Sequence, residues 1–145
     1  SIPLKSDGNI VSEIPEPPVP IRKNIISKKS RILVAEDNIF NYKLLEAILE
    51  DDLTETVWAK DGMDALDQYK SGKFDLILMD LKMPNMDGIE ATKAIRKLNR
   101  EVPIFAVTAS TMADEMDRTI KAGCNCFIAK PINSTHLREM INKYV

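Results

Sequence analysis

Five polar side chains directly follow short apolar segments of this sequence: Glu36, Asp37, Asp80, Thr108 and Lys130. They offer three carboxylates, one hydroxyl and one ammonium, with no Cys or His among them. If they converge, the carboxylates repel one another by about 4 kcal/mol per pair at about 4 Å and an effective dielectric constant near 20. A divalent cation with oxygen ligands would offset this repulsion, and the donor set favours Mg²⁺ over Zn²⁺, which prefers nitrogen and sulfur.

A magnesium site beside an ammonium and a hydroxyl is suited to phosphoryl transfer. The metal and Lys130 would neutralise charge on the phosphoryl oxygens, and Thr108 would donate a hydrogen bond to them. One of the carboxylates would then be the nucleophile. Taken singly, each residue has a simpler explanation, because an Asp after a strand often caps the next helix and a lone Lys is usually solvated. The hypothesis therefore depends on the five side chains meeting.

The elements that must bring them together are strand-length apolar runs that alternate with segments of helical periodicity. The runs cover residues 32–35, 54–59, 76–79, 104–107 and 127–129. This succession predicts an α/β fold with a parallel five-stranded sheet and helices on both faces. The first, third and fourth runs are the most continuously apolar, as in central strands, whereas the second mixes polar and apolar residues, as at an edge. The predicted strand order is 2-1-3-4-5, with the ligand beyond the carboxyl ends of the strands.

The first part of the chain differs from the rest in composition. Five of the eight prolines lie within residues 1–20, and residues 1–30 hold five basic and three acidic side chains. We expect residues 1–29 to form an extended or disordered Pro-rich linker, because Pro fixes φ and donates no backbone hydrogen bond. Residues 30–145 are long enough for one domain. The chain begins at Ser1 rather than Met, so we expect it to be a piece of a longer protein.

Composition also argues against several functions. The net charge of −2 and the absence of a basic cluster in the sequence argue against nucleic-acid binding by this domain,. The apolar runs are too short to span a membrane, and we expect no direct membrane contact. Cys124 and Cys126 are too close together for an easy disulfide, which indicates a reducing compartment and a cytoplasmic location,.

Four segments closely resemble the receiver domain of two-component response regulators. They are ILVAEDN at 32–38, LMDLKMPNMDG at 78–88, VTA at 107–109 and AKP at 129–131. The resemblance covers about residues 31–145 and implies the flavodoxin-like (βα)5 fold of chemotaxis-type receivers. It also implies a phosphorelay function, in which a receiver domain over residues 30–145 accepts a phosphoryl group from phosphohistidine on a kinase or phosphotransfer domain.

The resemblance assigns roles to individual residues. It makes Asp80 the phosphoacceptor, and it makes Asp37, Asp80 and the backbone carbonyl of Lys82 direct ligands of Mg²⁺. Glu36, at a position where the family more often has Asp, would act through a metal-bound water.

Lys130 and Thr108 would contact the phosphoryl group, and movement of Thr108 would let Phe127 change rotamer. Pro131 would follow a cis peptide bond. The surface made by the fourth helix, fifth strand and fifth helix would change, and it would be the place for a homodimer if one forms.

Within the family, the Glu-Asp-Asn opening followed by Asn41, and the stretch MDLKMP at 79–84, look most like the C-terminal receiver of a hybrid sensor histidine kinase. The Pro-rich leader also suits a receiver attached behind a kinase core. Such a receiver would belong to the cytosolic part of a membrane-anchored sensor. A receiver promotes its own phosphorylation and dephosphorylation, and the enzyme activity of a hybrid parent would be that of its kinase core.

The alternatives are a free-standing response regulator, a phosphoaspartyl-type Mg²⁺ phosphatase, a flavodoxin-like cofactor binder and a receiver that is never phosphorylated. Lys82 argues against the phosphatase, which by resemblance would have a second acid there. Glu36 and Asp37 argue against a cofactor binder, since that loop would repel a phosphate without a metal.

Overall fold

The computed structural model describes residues 30–50, 54–110 and 112–145; the predicted linker at 1–29 lies outside the described residues. Five strands alternate with five helices along this part of the chain. The strands are β1 Ser30–Ala35, β2 Thr54–Ala59, β3 Leu76–Asp80, β4 Ile104–Thr108 and β5 Cys126–Ala129. The helices are α1 Ile39–Leu49, α2 Gly62–Ser71, α3 Gly88–Leu98, α4 Ala113–Ala122 and α5 Ser134–Tyr144.

The strands form one parallel sheet in the order β2-β1-β3-β4-β5, which confirms the predicted topology. β3 and β4 are buried along their whole length, whereas β2, at the edge, is mostly half-buried. At their amino ends, β1 begins two residues and β5 one residue before the predicted run. At their carboxyl ends, β3 and β4 extend one residue beyond the predicted apolar runs, because Asp80 pairs with Val107 and Thr108 pairs with Ala129 in the ladders. Both polar side chains are therefore held by the sheet itself rather than by a loop.

Alternate residues of the strands build a hydrophobic core on each face of the sheet. On one face, strand residues such as Val34 and Phe105 pack with Tyr42 and Leu45 of α1 and Leu137 of α5. On the other face, a second cluster joins the sheet to α2, α3 and α4; it includes Leu33, Ile77, Met79, Ala65, Ile95 and Ala122. Helices cover both faces, as the sequence predicts.

Side chains that accept backbone N–H groups mark the starts of α1, α2, α3 and α5. The capping residues are Asn38, Asp61, Asp87 and Asn133. At α3 the cap is reciprocal, because Glu90 also accepts the backbone N–H of Asp87,. Since each parallel strand leads into its helix by a short connection, these capped ends lie at the carboxyl edge of the sheet.

Gly123 ends α4 in the left-handed region, with φ of 119°. A β-carbon there would lie 2.7 Å from Cγ of Arg96, whose guanidinium donates to the carbonyl of Gly123. We expect Gly123→Ala to lower the free energy of unfolding by about 1–2 kcal/mol, since a side chain is strained in this conformation. Urea denaturation measures the change. Gly72→Ala is the matched control, because Gly72 has extended backbone with φ of −148°; an equal loss there would contradict the explanation.

Candidate functional site

The carboxyl ends of four strands bring the predicted polar residues to one cleft. Glu36 and Asp37 follow β1, Asp80 ends β3, Thr108 ends β4, and Lys130 follows β5. All five line a cavity of about 240 Å³. Asn38, Asn41, Lys82 and Ala109 complete its lining. The convergence on which the phosphoryl-transfer hypothesis depends is therefore present.

Three carboxylates form the acidic side of the cleft. One oxygen each of Glu36, Asp37 and Asp80 lies within 4.8 Å of the other two. Glu36 is 2% exposed and Asp80 is 5% exposed, whereas Asp37 is open to solvent. Oxygen donors at this spacing, with one of them reachable from solvent, fit a small hard cation such as Mg²⁺ that keeps several waters. The site residues present therefore suit the metal that the sequence predicts.

Lys130 neutralises part of this charge from the opposite side. Its Nζ lies 3.0 Å from Oδ2 of Asp80 and 3.6 Å from Oε1 of Glu36. Burial lowers the pKa of Lys130, but the hydrogen bond and negative charge of Asp80, together with Glu36, outweigh it and raise the pKa above the ordinary value,. Lys130 is thus an ammonium at neutral pH, and three carboxylates face one fixed cation.

The surroundings of Lys130 favour its charged form, whereas those of Glu36 disfavour its charged form. Burial raises its pKa, and the negative charge of Asp80 raises it further,. The backbone N–H of Asn38, the ammonium of Lys130 and the amide of Asn41 act in the other direction. An additional cation in the cleft would stabilise the charged form of Glu36, which is the electrostatic reason that this site suits a metal.

The two oxygens of Asp80 have separate partners. Oδ1 accepts the backbone N–H of Lys82 at 3.0 Å, and Oδ2 accepts from Nζ of Lys130 at 3.0 Å. These bonds fix the plane of the carboxylate at the base of the cleft. A carboxylate held in one orientation next to a cation is suited to in-line attack on a phosphorus atom.

Thr108 and Phe127 differ in their relation to the cleft. Thr108 is 4% exposed, and its Oγ1 accepts the backbone N–H of Ser110 at 3.0 Å. Its hydroxyl hydrogen can then be donated to a group in the cleft. Phe127 is half-buried in β5, paired with Ala106, and packs against the core beside α2, α3 and α4. It does not line the cavity. The predicted cis bond between Lys130 and Pro131 is confirmed.

Two contacts to Glu36 were not predicted from the sequence. The indole Nε1 of Trp58 donates to the backbone carbonyl of Glu36 at 2.7 Å, and Nδ2 of Asn41 donates to its Oε2 at 3.4 Å. One local signal indicates the contact between Asn41 and Glu36: Asn41 lies in the first turn of α1, three residues after the capping residue Asn38. The contact between Trp58 and Glu36 depends on the pairing of Val34 with Trp58 in the β1–β2 ladder, which no local pattern shows.

Comparisons with known proteins agree with this fold and site. The model of the response regulator receiver domain matches residues 32–142. Hybrid signal transduction histidine kinase I of Dictyostelium discoideum is 40% identical over 124 residues, which cover 79% of this chain and 7% of that protein. The chain belongs to the response regulator receiver family of two-component signalling, and it is homologous to the receivers of hybrid histidine kinases.

Two solved receivers resemble it closely. The receiver domain of the sensor histidine kinase PA1611 from Pseudomonas aeruginosa PAO1, solved with a magnesium ion coordinated in its active-site cleft, is 32% identical with a TM-score of 0.74. That match covers 80% of this chain and 97% of the other. The co-crystal structure of the Saccharomyces cerevisiae phosphotransfer protein Ypd1 with the receiver of its response regulator Ssk1 matches at 31% identity and a TM-score of 0.75. It covers 82% of this chain and 90% of that one.

The flavodoxin-like receiver fold predicted from the sequence is thus confirmed. Within the described residues, none of the helices is both long and apolar enough to cross a membrane.

Proposed function

We propose that this domain is the phosphoacceptor switch of a phosphorelay, which takes a phosphoryl group from phosphohistidine onto Asp80 with Mg²⁺. One observation carries the proposal: the buried Asp80 carboxylate is held by Lys130 within 4.8 Å of two further carboxylate oxygens. That arrangement combines a nucleophile, a cation site and a fixed ammonium in one cleft. The magnesium-bound receiver among its structural relatives supports the same assignment.

Glu36, Asp37, Asp80 and the backbone carbonyl of Lys82 would hold the magnesium ion, with Glu36 acting through a bound water. When bound, the ion neutralises charge on the acceptor and on the phosphoryl oxygens. In the transfer, an oxygen of Asp80 forms a bond to phosphorus, and the bond from phosphorus to the imidazole nitrogen breaks. The imidazole leaves with the electron pair, and the product is an acyl phosphate. Lys130 exchanges part of its contact with Asp80 for a contact to the phosphoryl group.

The new charge on Asp80 is the signal. It draws the hydroxyl of Thr108 toward the phosphoryl group, at the expense of its bond to Ser110. Phe127 turns into the space that Thr108 leaves and changes the surface formed by α4, β5 and α5, where a homodimer would form. This is a local change in charge that biases a two-state element.

The donor would be a phosphohistidine-bearing kinase or phosphotransfer domain. The relative crystallised with a histidine phosphotransfer protein supports this class of partner. We further propose that the domain is the receiver of a hybrid sensor histidine kinase, on the cytosolic side, with residues 1–29 as the linker to it. The chain spans 7% to 16% of the length of the hybrid kinases to which it is similar. The sequence encoded upstream of Ser1 tests this: a kinase ATP-binding domain there supports it, and a start codon close by contradicts it.

The phosphoacceptor proposal is tested by incubating the protein with a small acyl phosphate donor, with and without Mg²⁺, and measuring the intact mass. We expect one phosphoryl group per chain that requires Mg²⁺ and is released by hydroxylamine, as an acyl phosphate must be. Mg²⁺-dependent binding of fluoroberyllate, a phosphoryl mimic, should compete with labelling. A protein that takes up no phosphoryl group while remaining folded would contradict the proposal.

The donor domain must approach the cleft, and an apolar surface on α1 borders it. Phe40 is 80% exposed and Leu44 is 57% exposed, one helical turn apart, next to Asn41 of the cleft,. We expect Phe40→Ala to slow phosphoryl transfer from a phosphohistidine domain about tenfold, because an exposed aromatic side chain is a typical contact in an interface. Rapid-quench kinetics measures the rate.

Labelling by the small phosphodonor, which needs no protein contact, is the comparison for Phe40→Ala. Leu98→Ala removes an exposed apolar side chain, 53% exposed, at the far end of α3 and serves as the matched control. If Phe40→Ala slows both donors equally, or if Leu98→Ala has the same effect, the α1 surface is not where the donor docks.

A further inference from the structure

The loop between β3 and α3, residues 81–87, is fastened at its tip to the start of α2. Nδ2 of Asn85 donates to Oδ2 of Asp61 at 2.8 Å, and the backbone N–H of Gly62 donates to the carbonyl of Met86 at 3.0 Å. Asp61 is 6% exposed and belongs to a different βα unit, 24 residues earlier in the chain. We call these four residues, Asp61, Gly62, Asn85 and Met86, the α2 clasp.

Three positions of the α2 clasp suit the residue that occupies them, and the fourth, Met86, contributes its backbone carbonyl. Asn85 has φ of 69°, a left-handed conformation that Asn tolerates better than most residues,. A β-carbon on Gly62 would overlap the carbonyl oxygen of Met86, so the close approach requires glycine,. Asp61 uses Oδ1 to cap α2 through the N–H of Asp64 and keeps Oδ2 for Asn85. Those two bonds lower the pKa of Asp61, so it is a charged acceptor at neutral pH,.

The other end of the loop is joined to the phosphoacceptor. The backbone N–H of Lys82 donates to Oδ1 of Asp80. The backbone N–H of Leu81 donates to the carbonyl of Val107 in β4, and its carbonyl accepts the N–H of Gly88 at the start of α3. Lys82 therefore lies between two anchors, the strand end on one side and the α2 clasp on the other.

Met83 is buried in the core and Met86 packs against it, whereas Pro84 and Asn85 at the tip are exposed. The hydrogen bond from Asn85 to Asp61 therefore holds the part of the loop that core packing does not hold.

We propose that Asp61 and Asn85 are positioning residues that order the 81–87 loop in advance and thereby set the affinity of the cleft for Mg²⁺. The inference rests on the proposed function, in which the carbonyl of Lys82 is a metal ligand. If a metal ligand lies on a loop that becomes ordered only when the metal binds, the free-energy cost of ordering the loop weakens metal binding. Partners that orient a ligand commonly change metal affinity by about 10–100-fold when they are removed.

Two substitutions separate this role from general folding. Asn85→Gly keeps the left-handed backbone accessible and removes only the side chain that bonds Asp61. Asp61→Ser keeps a hydroxyl to cap α2 but is too short to reach Asn85. We expect each variant to weaken Mg²⁺ binding about tenfold, and the double variant to weaken it no more than either one, since both remove the same bond.

Calorimetry measures the affinity of each variant for Mg²⁺. The fluorescence of Trp58, the one Trp in the sequence, gives a second signal from the cleft, because its indole donates a hydrogen bond to the carbonyl of Glu36. The Mg²⁺ dependence of labelling by the small phosphodonor gives the decisive comparison. If the α2 clasp acts through the metal site, the half-saturating Mg²⁺ concentration rises about tenfold and the rate at saturating Mg²⁺ stays close to that of the parent protein. A merely unfolded fraction would lower the saturating rate instead.

Asn99→Gly is the matched control. Asn99 accepts the backbone N–H groups of Glu101 and Val102 at the opposite end of the domain, so its loss destabilises the fold without touching the loop. An unchanged Mg²⁺ affinity in Asn85→Gly, or an equal loss in Asn99→Gly, overturns the inference. If the parent protein itself neither binds Mg²⁺ nor takes up a phosphoryl group, the proposed function fails instead.

Discussion

Asp80→Asn is expected to lower phosphoryl uptake at least about 1,000-fold while leaving the protein folded. The amide has the shape of the carboxylate and can still accept the N–H of Lys82 through its oxygen, but its oxygen is a poor nucleophile and a weak metal ligand. The substitution also removes one of the three negative charges that make the cleft a cation site. The measurement is the intact mass after incubation with the small acyl phosphate donor and Mg²⁺.

Asp87→Asn is the matched control for Asp80→Asn. Asp87 is a carboxylate on the loop that follows β3, but it caps α3, a role that Asn performs equally well,. Its labelling should equal that of the parent protein. If Asp80→Asn were labelled as fast as the parent, Asp80 would not be the acceptor, and another carboxylate of the cleft would have to be.

Lys130→Ala is expected to have the second-largest effect. Without the ammonium, the buried carboxylate of Asp80 loses its hydrogen bond and that of Glu36 loses its ion pair, which should lower the free energy of unfolding by about 1–3 kcal/mol,. The loss should be greatest without Mg²⁺ and partly restored by it, because the metal supplies positive charge to the same oxygens. Phosphoryl uptake should fall about 100-fold, as when one donor to a developing oxyanion is removed. Urea denaturation with and without Mg²⁺ and labelling kinetics measure the two effects.

Lys82→Ala provides the comparison for Lys130→Ala in stability. Lys82 also lines the cleft, but its side chain is solvent-exposed, and among the described ion pairs Glu36 and Asp80 pair with Lys130. Its removal should leave the stability of the metal-free protein within about 0.5 kcal/mol of the parent, as is usual at the surface. Equal destabilisation by both substitutions would mean that the net charge of the cleft, rather than the Lys130 contacts, determines stability.

Much of the fold follows from features that are local in the sequence. The contrast between the fully apolar third run and the mixed second run predicts which strands are central and which is at the edge, because burial on both faces excludes polar side chains. The ends of β3 and β4 are less predictable. Asp80 and Thr108 are polar, yet they belong to the strands, since backbone pairing continues where the side chains turn toward the cleft.

The candidate site also has one part that the sequence predicts and one part that it does not. Convergence of the five cleft residues follows from topology alone, because the carboxyl ends of parallel strands share an edge. The contact of Trp58 with Glu36 and the bond of Asn85 to Asp61 could not be predicted, since they depend on strand register and on where a helix begins relative to a distant loop. Asp61 caps α2 through Oδ1, and the role of its Oδ2 in holding the loop becomes evident only in three dimensions.

The capped starts of α1, α2, α3 and α5 have a consequence for the charge balance of the whole domain. A helix carries a partial positive charge at its amino end, and each such end favours a nearby anion by about 0.3–1 kcal/mol. The βα topology points these ends toward the carboxyl edge of the sheet, and the start of α1 lines the cleft through Asn38 and Asn41. The positive end of α1 therefore opposes the repulsion among Glu36, Asp37 and Asp80, and the backbone N–H of Asn38 donates to Oε2 of Glu36,. The same orientation would favour the one negative charge that an acyl phosphate adds to that of the free carboxylate, so the scaffold is polarised toward anions before any cation arrives.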